Sequence, residues 1–328
     1  MATYKEIFGT NIEVLASDPA NPVTGQVWYN STDNVVKGQG VTTAGAWATG
    51  GNLNTARTYV SGSGSTKTSA LSYGGLDPSP TNGLTLTESY NGSAWTEVND
   101  LNTGRYNATG LGLQTSSLSV GGFNPASVAN NESWNGTSWT EVGDLNTGRG
   151  ALASSGLDNT AALVFGGNTP PATNITENWN GTSFTEVADL NTARDQLTGT
   201  GNSNTAALAI AGGNVPPSST ITELWNGTSW TEVGDLNTER RQLGSGGLYT
   251  SAVAFGGENP ATAQLTLTET WNGTSWSEDS DMSTARFLMA STGANNTDAL
   301  ASGGNPITAA TEEWTGAGSP LTVTFTDS

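Results

Sequence analysis

Six of the seven arginines, Arg57, Arg105, Arg149, Arg194, Arg240 and Arg286, recur at one position of a repeat, and Glu88, Glu132, Glu177, Glu223, Glu269 and Glu312 recur with them. A ring of guanidinium groups is equipment for holding a carboxylated sugar. Guanidiniums matched one for one with carboxylates are instead buried structural ties between neighbouring units. Uniformity favours the tie, because a ligand site breaks the symmetry of a repeat. A second acidic set pairs Glu97, Glu141, Glu186, Glu232 and Glu278 with Asp100, Asp144, Asp189, Asp235 and Asp281, three residues later. These could offer oxygens to Ca²⁺, but no ligand loop of known spacing accompanies them, so neither metal nor any other cofactor is expected. Cys and His are absent, which excludes disulfides, thiolate or imidazole metal sites, and Ser-His or Cys-His catalysis.

The elements that must position these residues follow from the repeat itself. After each Arg come a Gly-Gly pair, a Glu and two close-set aromatics, and the pattern returns after 44 to 48 residues. The glycine pairs begin at Gly74, Gly121, Gly166, Gly212, Gly256 and Gly303. A period of this length with four β-prone runs per unit is the signature of a β-propeller, and six repeats predict six blades. In the unit 149–193 the runs are 150–155, small and suited to an innermost strand, then 161–165 closed by Gly-Gly, 175–179 and 182–187. Asn-Gly at Asn91, Asn135, Asn180, Asn226 and Asn272 predicts a two-residue type I′ hairpin turn between the last two runs. That register places Trp271 opposite Thr274 and Glu269 opposite Trp276, all four on one face. The two ends are unequal: Trp47 belongs to a fourth strand without the preceding three, whereas the last unit lacks its fourth. Residues 46–48 are therefore expected to pair with residues 311–315, so that the N-terminal strand completes the last blade and closes the ring.

Composition agrees with an all-β fold of many small cores, with 34% hydrophobic residues and 43 glycines in 328 residues. The expected organisation is an N-terminal extension with a β-hairpin over 1–40, the propeller over 41–316 and a β tail over 317–328. A net charge of −19 argues against nucleic acid as partner and suits a well-solvated surface. No run is long enough for membrane insertion, and the first six residues lack the basic and apolar regions of a signal peptide, which points to synthesis in a cytoplasm. Asn-Gly-Thr and Asn-Gly-Ser are formal glycosylation acceptors, but the turn accounts for their recurrence.

An initial Arg, Gly-Gly closing the second strand, Glu-x-aromatic in the third and Trp in the fourth resemble the kelch family of propellers over roughly residues 45 to 316. The chain departs from that pattern in the tight Asn-Gly turn and in Phe184, which replaces one Trp. A second resemblance lies in Ser17-Asp18-Pro19-Ala20-Asn21-Pro22-Val23-Thr24-Gly25-Gln26-Val27-Trp28-Tyr29-Asn30-Ser31-Thr32. This stretch looks like the N-terminal segments of tail-fibre and other virion proteins of bacteriophages, notably marine ones, as do kelch-like arrays with Leu-Asn-Thr-x-Arg units. The resemblance implies a viral protein located in the virion.

Function should lie where the repeats differ. Directly after the repeat arginines the residues diverge: Tyr59, Tyr106, Asn107, Asp195, Gln196, Arg241, Gln242 and Phe287. These are expected at the channel mouth, on the face crowned by the proline loops Asp77-Pro78-Ser79-Pro80, Asn124-Pro125-Ala126, Thr169-Pro170-Pro171, Val215-Pro216-Pro217, Asn259-Pro260-Ala261 and Asn305-Pro306-Ile307. Aromatic, amide and single charged groups are the equipment of a sugar site. The reading is a non-enzymatic virion protein, a receptor- or glycan-binding adhesin or a particle decoration, whose partners are a host-surface glycan or receptor or other virion proteins. The alternative is a propeller glycoside hydrolase with paired carboxylates, for which Asp195 is the best acid near the mouth but lacks an evident partner.

Overall fold

The computed structural model describes residues 12–20, 22–42, 44–78, 83–213, 219–318 and 320–325, with strands, turns and loops and no helix among them. The chain divides into two compact units, Ala46–Thr315, and Met1–Gly45 with Gly316–Ser328. The larger is propeller-like: six four-stranded antiparallel sheets follow one another along the chain. In the third, the strands are Ala153–Asp158, Ala161–Phe165, Thr176–Trp179 and Phe184–Glu186. The innermost strand starts later than the run 150–155 because Gly150 bridges to Asn168 and Ala151 takes a left-handed φ of 54°. In the sixth sheet, Ala46–Thr49 supplies the outer strand, with Trp47 opposite Trp314 and Ala48 opposite Glu313.

The smaller unit holds a seventh sheet, in the order Glu13–Leu15, Val27–Asn30, Val35–Val41, Pro320–Phe325, with the first pair parallel. The C-terminal tail is thus a strand paired with the N-terminal hairpin. Asp18 accepts hydrogen bonds from Trp28 Nε1 (3.0 Å), Asn30 Nδ2 (2.8 Å) and Lys37 Nζ (2.9 Å). Led by Lys37, these donors lower its pKa to about 2. Asp18, Trp28 and Asn30 therefore build this unit's own polar anchor.

The Asn-Gly turns correct one expectation. Trp271 lies opposite Trp276 and Glu269 opposite Glu278, so the loop has four residues, 272–275, rather than two. Only Gly273 takes a positive φ, 94°. The Asn272 side chain instead accepts from the backbone N–H of Thr274 (2.9 Å) and Ser275 (3.0 Å), and this local bond competes with the type I′ conformation. Glu269, Trp271 and Trp276 still share a face, while Thr274 sits in the loop.

Sheets pack through these aromatics. Trp271 and Trp276 stack with centroids 5.4 Å apart, and Trp47 meets Phe255 of the fifth sheet edge-on at 4.8 Å. Each fourth-strand Trp also donates its indole N–H to a Thr hydroxyl on the third strand of another sheet: Trp139 to Thr87, Trp230 to Thr176, Trp276 to Thr222, Trp47 to Thr268 and Trp95 to Thr311. Phe184 has no N–H to give. The position that would accept from it is occupied by Asn131, which is buried and whose Oδ1 has no partner.

The innermost strands approach closely enough to demand small residues. A Cβ on Gly110 would sit 2.3 Å from the Gly62 carbonyl oxygen. Hydroxyls stitch neighbours together, as in Thr109 to Ser154 (2.6 Å) and Ser61 to the Ala108 carbonyl (2.9 Å).

The Arg–Glu pairs tie each connection to the sheet it enters, as expected of a tie between units: Arg57–Glu88, Arg105–Glu132, Arg149–Glu177, Arg194–Glu223, Arg240–Glu269 and Arg286–Glu312, at 2.5 to 2.9 Å and buried. The arginine's own backbone bonds to the preceding sheet, as in Arg194 N–H to the Thr173 carbonyl (3.2 Å). What the pairs hold is the connection arriving from the previous sheet. Glu223 Oε2 takes the backbone N–H and side-chain amide of Asn191, both at 2.8 Å, while Oε1 takes Arg194. Arg194 Nη1 in turn donates to the carbonyls of Ala211 (2.7 Å) and Ile221 (2.8 Å). In this fourth repeat the left-handed pair is Ala211-Gly212, not Gly212-Gly213, so Ala211 carries a φ of 55°. Burial lowers the Arg194 pKa and Glu223 opposes it.

Two predictions follow from these contacts. Arg194→Ala should cost about 3–5 kcal/mol by stranding a buried carboxylate. Arg149→Ala should cost less, since Arg149 leaves Nε and Nη2 without partners and does not reach those carbonyls; urea unfolding of both variants checks the order. Phe184→Trp should give the Asn131 Oδ1 a donor and raise stability by about 1 kcal/mol, read as an increase in the urea midpoint at unchanged slope.

Candidate functional site

Each repeat Arg is followed by a residue that forms an isolated bridge with the residue after the left-handed pair of the same sheet. The pairs are Thr58–Leu76, Tyr106–Phe123, Gly150–Asn168, Asp195–Gly213, Arg241–Glu258 and Phe287–Asn305. The next residues, Tyr59, Asn107, Ala151, Gln196, Gln242 and Leu288, all have φ between 53° and 56°. A left-handed non-glycine residue costs roughly 1–2 kcal/mol, so something must hold six of them. Backbone bonds from sheet to sheet do so: Asn107 N–H to Tyr59 O, Ala151 to Asn107, Gln196 to Ala151, Gln242 to Gln196 and Leu288 to Gln242, at 2.8 to 3.0 Å.

This belt surrounds a cavity of about 120 Å³, whose lining includes Tyr59, Asn107, Gln196 and Gln242. A second cavity of about 290 Å³ continues along the innermost strands, and Gly62, Gly110 and Ser154 line both. Of the seven residues expected to bind ligand, these four line the mouth. Tyr106, Asp195 and Arg241 stand one residue earlier, in the bridges. The bridges also tie the mouth to the proline loops, since Phe123, Asn168 and Glu258 lead directly into Asn124-Pro125, Thr169-Pro170 and Asn259-Pro260. Ser79, Pro80, Val215, Pro216 and Pro217 lie outside the described residues.

The mouth has two chemically distinct parts. On the first and second sheets Tyr59 meets Tyr106 edge-on with centroids 5.7 Å apart, and Tyr106 stacks obliquely on Phe123 at 5.6 Å. Burial raises the Tyr59 pKa, and neighbouring Tyr106 and Glu258 add to it. Polar groups occupy the third to fifth sheets. Arg241 donates from Nε (2.9 Å) and pairs through Nη2 (2.7 Å) with Glu258 Oε1. Asn168 Nδ2 donates to Asp195 Oδ2 at 2.5 Å. Asp195 is 1% exposed, and burial raises its pKa against the opposing pull of Asn168 and Arg241. Asp195 Oδ1, Gln196 Oε1 and Gln242 Oε1 are buried without a hydrogen-bond partner.

Phe123, Asn168 and Glu258 were not among the expected site residues. Their signal was available in the sequence: the position after the glycine pair varies as widely as the position after the Arg. The acidic repeat set has a local role instead. Asp100, Asp189 and Asp235 each accept from the backbone N–H that opens the third strand (Thr87, Thr176, Thr222), all at 3.0 Å. Among the described residues no group of three Asp or Glu side chains is placed to hold a metal ion.

No protein-family model matches the chain, and no curated protein sequence matches it.

Asp195 sets a pH dependence. Its folded pKa lies above the ordinary 3.8, so its ionisation opposes folding, with a penalty absent at pH below the ordinary value and complete above the folded one. Asp195→Asn should therefore raise the melting temperature at neutral pH, and the gain should vanish as pH falls towards 4.

Proposed function

We propose that this protein is a non-enzymatic component of a bacteriophage particle, a receptor- or glycan-binding adhesin or a particle decoration, built on a closed six-bladed propeller. Contacts between the first and sixth sheets support the closed ring. Lys67 donates through Nζ to the Trp314 carbonyl and through its backbone N–H to Asp298 (2.6 Å), and the Tyr90 hydroxyl donates to Glu313 (2.6 Å). Equivalent side chains at other sheet junctions, such as Asn159 donating to the Trp134 carbonyl, make the same kind of contact. The kelch-like repeat and the phage-like N-terminal stretch support the assignment to a virion.

The observation that carries the binding role is the contrast between belt and side chains. Backbone bonds fix the mouth identically in successive sheets, while the residues displayed there run from Tyr to Ala to Gln. Structural need does not explain that variety. A preformed, stiff mouth also keeps the ordering cost of binding low. The ligand in this reading is a host-surface glycan or receptor, or a neighbouring virion protein. Hydrolysis is the second reading, favoured by one feature: Glu258 joins Asp195 at the mouth, giving a pair of carboxyl groups of which one has a raised pKa. Against it, Glu258 is already committed to Arg241.

Mass spectrometry of purified particles from the source should find the chain, and glycan-array binding should be lost in Tyr106→Ala or Gln196→Ala at unchanged melting temperature. Absence from the particles would defeat the virion assignment. Release of reducing sugar from host polysaccharide would replace binding with hydrolysis.

A further inference from the structure

We propose that the mouth recognises the terminal residue of a neutral glycan, with the sugar's apolar face against Tyr59 and its hydroxyls donated to Gln196 and Gln242, and that the buried Asp195 behind them makes it reject carboxylated sugars. The inference rests on the glycan-binding reading and narrows it to one class of ligand.

The first argument is the location of unsatisfied acceptors. Among the described residues, four buried carboxylate or amide oxygens have no hydrogen-bond partner: Asn131 Oδ1, Asp195 Oδ1, Gln196 Oε1 and Gln242 Oε1. The first is explained by Phe184. Gln196 and Gln242 line the mouth and are joined by a 2.8 Å backbone bond, and Asp195 stands directly behind Gln196 in the adjoining bridge. An unpaired buried acceptor costs roughly 1–3 kcal/mol, and a donor-rich ligand relieves that cost. Rotating either glutamine amide would only exchange an unpaired oxygen for an unpaired NH₂, and the carboxylate has no such alternative.

Charge then decides between sugars. Arg241 is the cation at the mouth, and its guanidinium is paired with Glu258. A uronic or sialic acid would meet Asp195 and Glu258 with no free cation among the described mouth residues to receive it. The six repeat arginines cannot supply that cation, since each is buried against its own glutamate. The aromatic side completes the match, because Tyr59 lines the same cavity as Gln196 and Gln242 and lies near enough to Glu258 to feel its charge. Size sets the mode of binding. The mouth cavity of about 120 Å³ and the cavity of about 290 Å³ that continues from it together lie at the low end of the ~300–1,000 Å³ of small-molecule sites, which fits end-on entry of a chain terminus rather than an extended chain.

The test compares matched ligands on the full-length protein: methyl glycosides of glucose, galactose and mannose against the corresponding methyl uronides, by titration calorimetry and on arrays of glycans ending in neutral or acidic residues. At least one neutral ligand should bind about tenfold or more tightly than its uronide. Asp195→Asn should shrink that ratio, because it removes a repelling charge while keeping the shape, an effect that a merely structural aspartate would not produce. Gln242→Ala should weaken neutral binding by about tenfold without lowering the melting temperature, and Gln196→Ala serves if that variant does not fold. Preference for the uronides, or an unchanged ratio in Asp195→Asn, would overturn the inference while leaving glycan binding intact. Failure of every neutral and acidic ligand to bind would overturn both.

Discussion

The buried carboxylate at the start of each third strand is the point on which the repeat unit depends. Glu223 and its five equivalents are loaded on both oxygens, one by the arginine and the other, in Glu223, by the backbone and side chain of an asparagine in the incoming connection. Charge is removed from water here at a cost that only full hydrogen bonding can offset, which ties correct arrival of one sheet to correct formation of the next. An arginine without its glutamate, or a connection one residue out of place, leaves a buried ion exposed to its own desolvation penalty. Specificity of register is the return on that arrangement. The aromatic pairs and the small hydroxyl-bearing inner strands then fill space that the clamps have already fixed.

Much of the fold was legible because its period is long and its punctuation strong. Gly-Gly, Leu-Asn-Thr-x-Arg and Glu-x-aromatic recur with so little variation that strand number, strand order and the pairing of Trp47 with the last repeat could be read directly. The departures were local. Asn-Gly has a strong preference as a pair, yet the Asn272 side chain satisfies the turn's backbone itself and imposes a four-residue loop. The fourth repeat differs in another way, since Ala211 takes the left-handed φ that glycine takes in the other five. A local side-chain bond sets the backbone in the first case, and in the second Arg194 holds the Ala211 carbonyl; residue-pair propensity gave way in both.

The mouth was half legible. Divergence after each Arg located Tyr59, Tyr106, Asn107, Asp195, Gln196, Arg241 and Gln242, and the structure puts all seven in one belt or its adjoining bridges. What sequence order could not give was the partner of each polar group. Asn168 and Glu258 lie 17 or more residues from the side chains they engage, so the role of Glu258 emerges only from its bridge with Arg241 and that of Asn168 only from contact between sheets. Asp195 shows the value of that information: as a lone acid it carried little meaning, whereas beside Asn168 and Arg241, with one oxygen bound and one free, it becomes the centre of the polar side.

The sheet-to-sheet belt separates two kinds of inheritance. Its bonds use only main-chain atoms, so a side chain at any of the six left-handed positions can be exchanged without altering the hydrogen bonds that hold its neighbours. Mutations at the mouth therefore change the displayed side chains nearly one at a time, whereas mutations at the clamps act on folding. Six positions can vary while the scaffold that carries them stays fixed, in the way an antibody framework carries exchangeable loops.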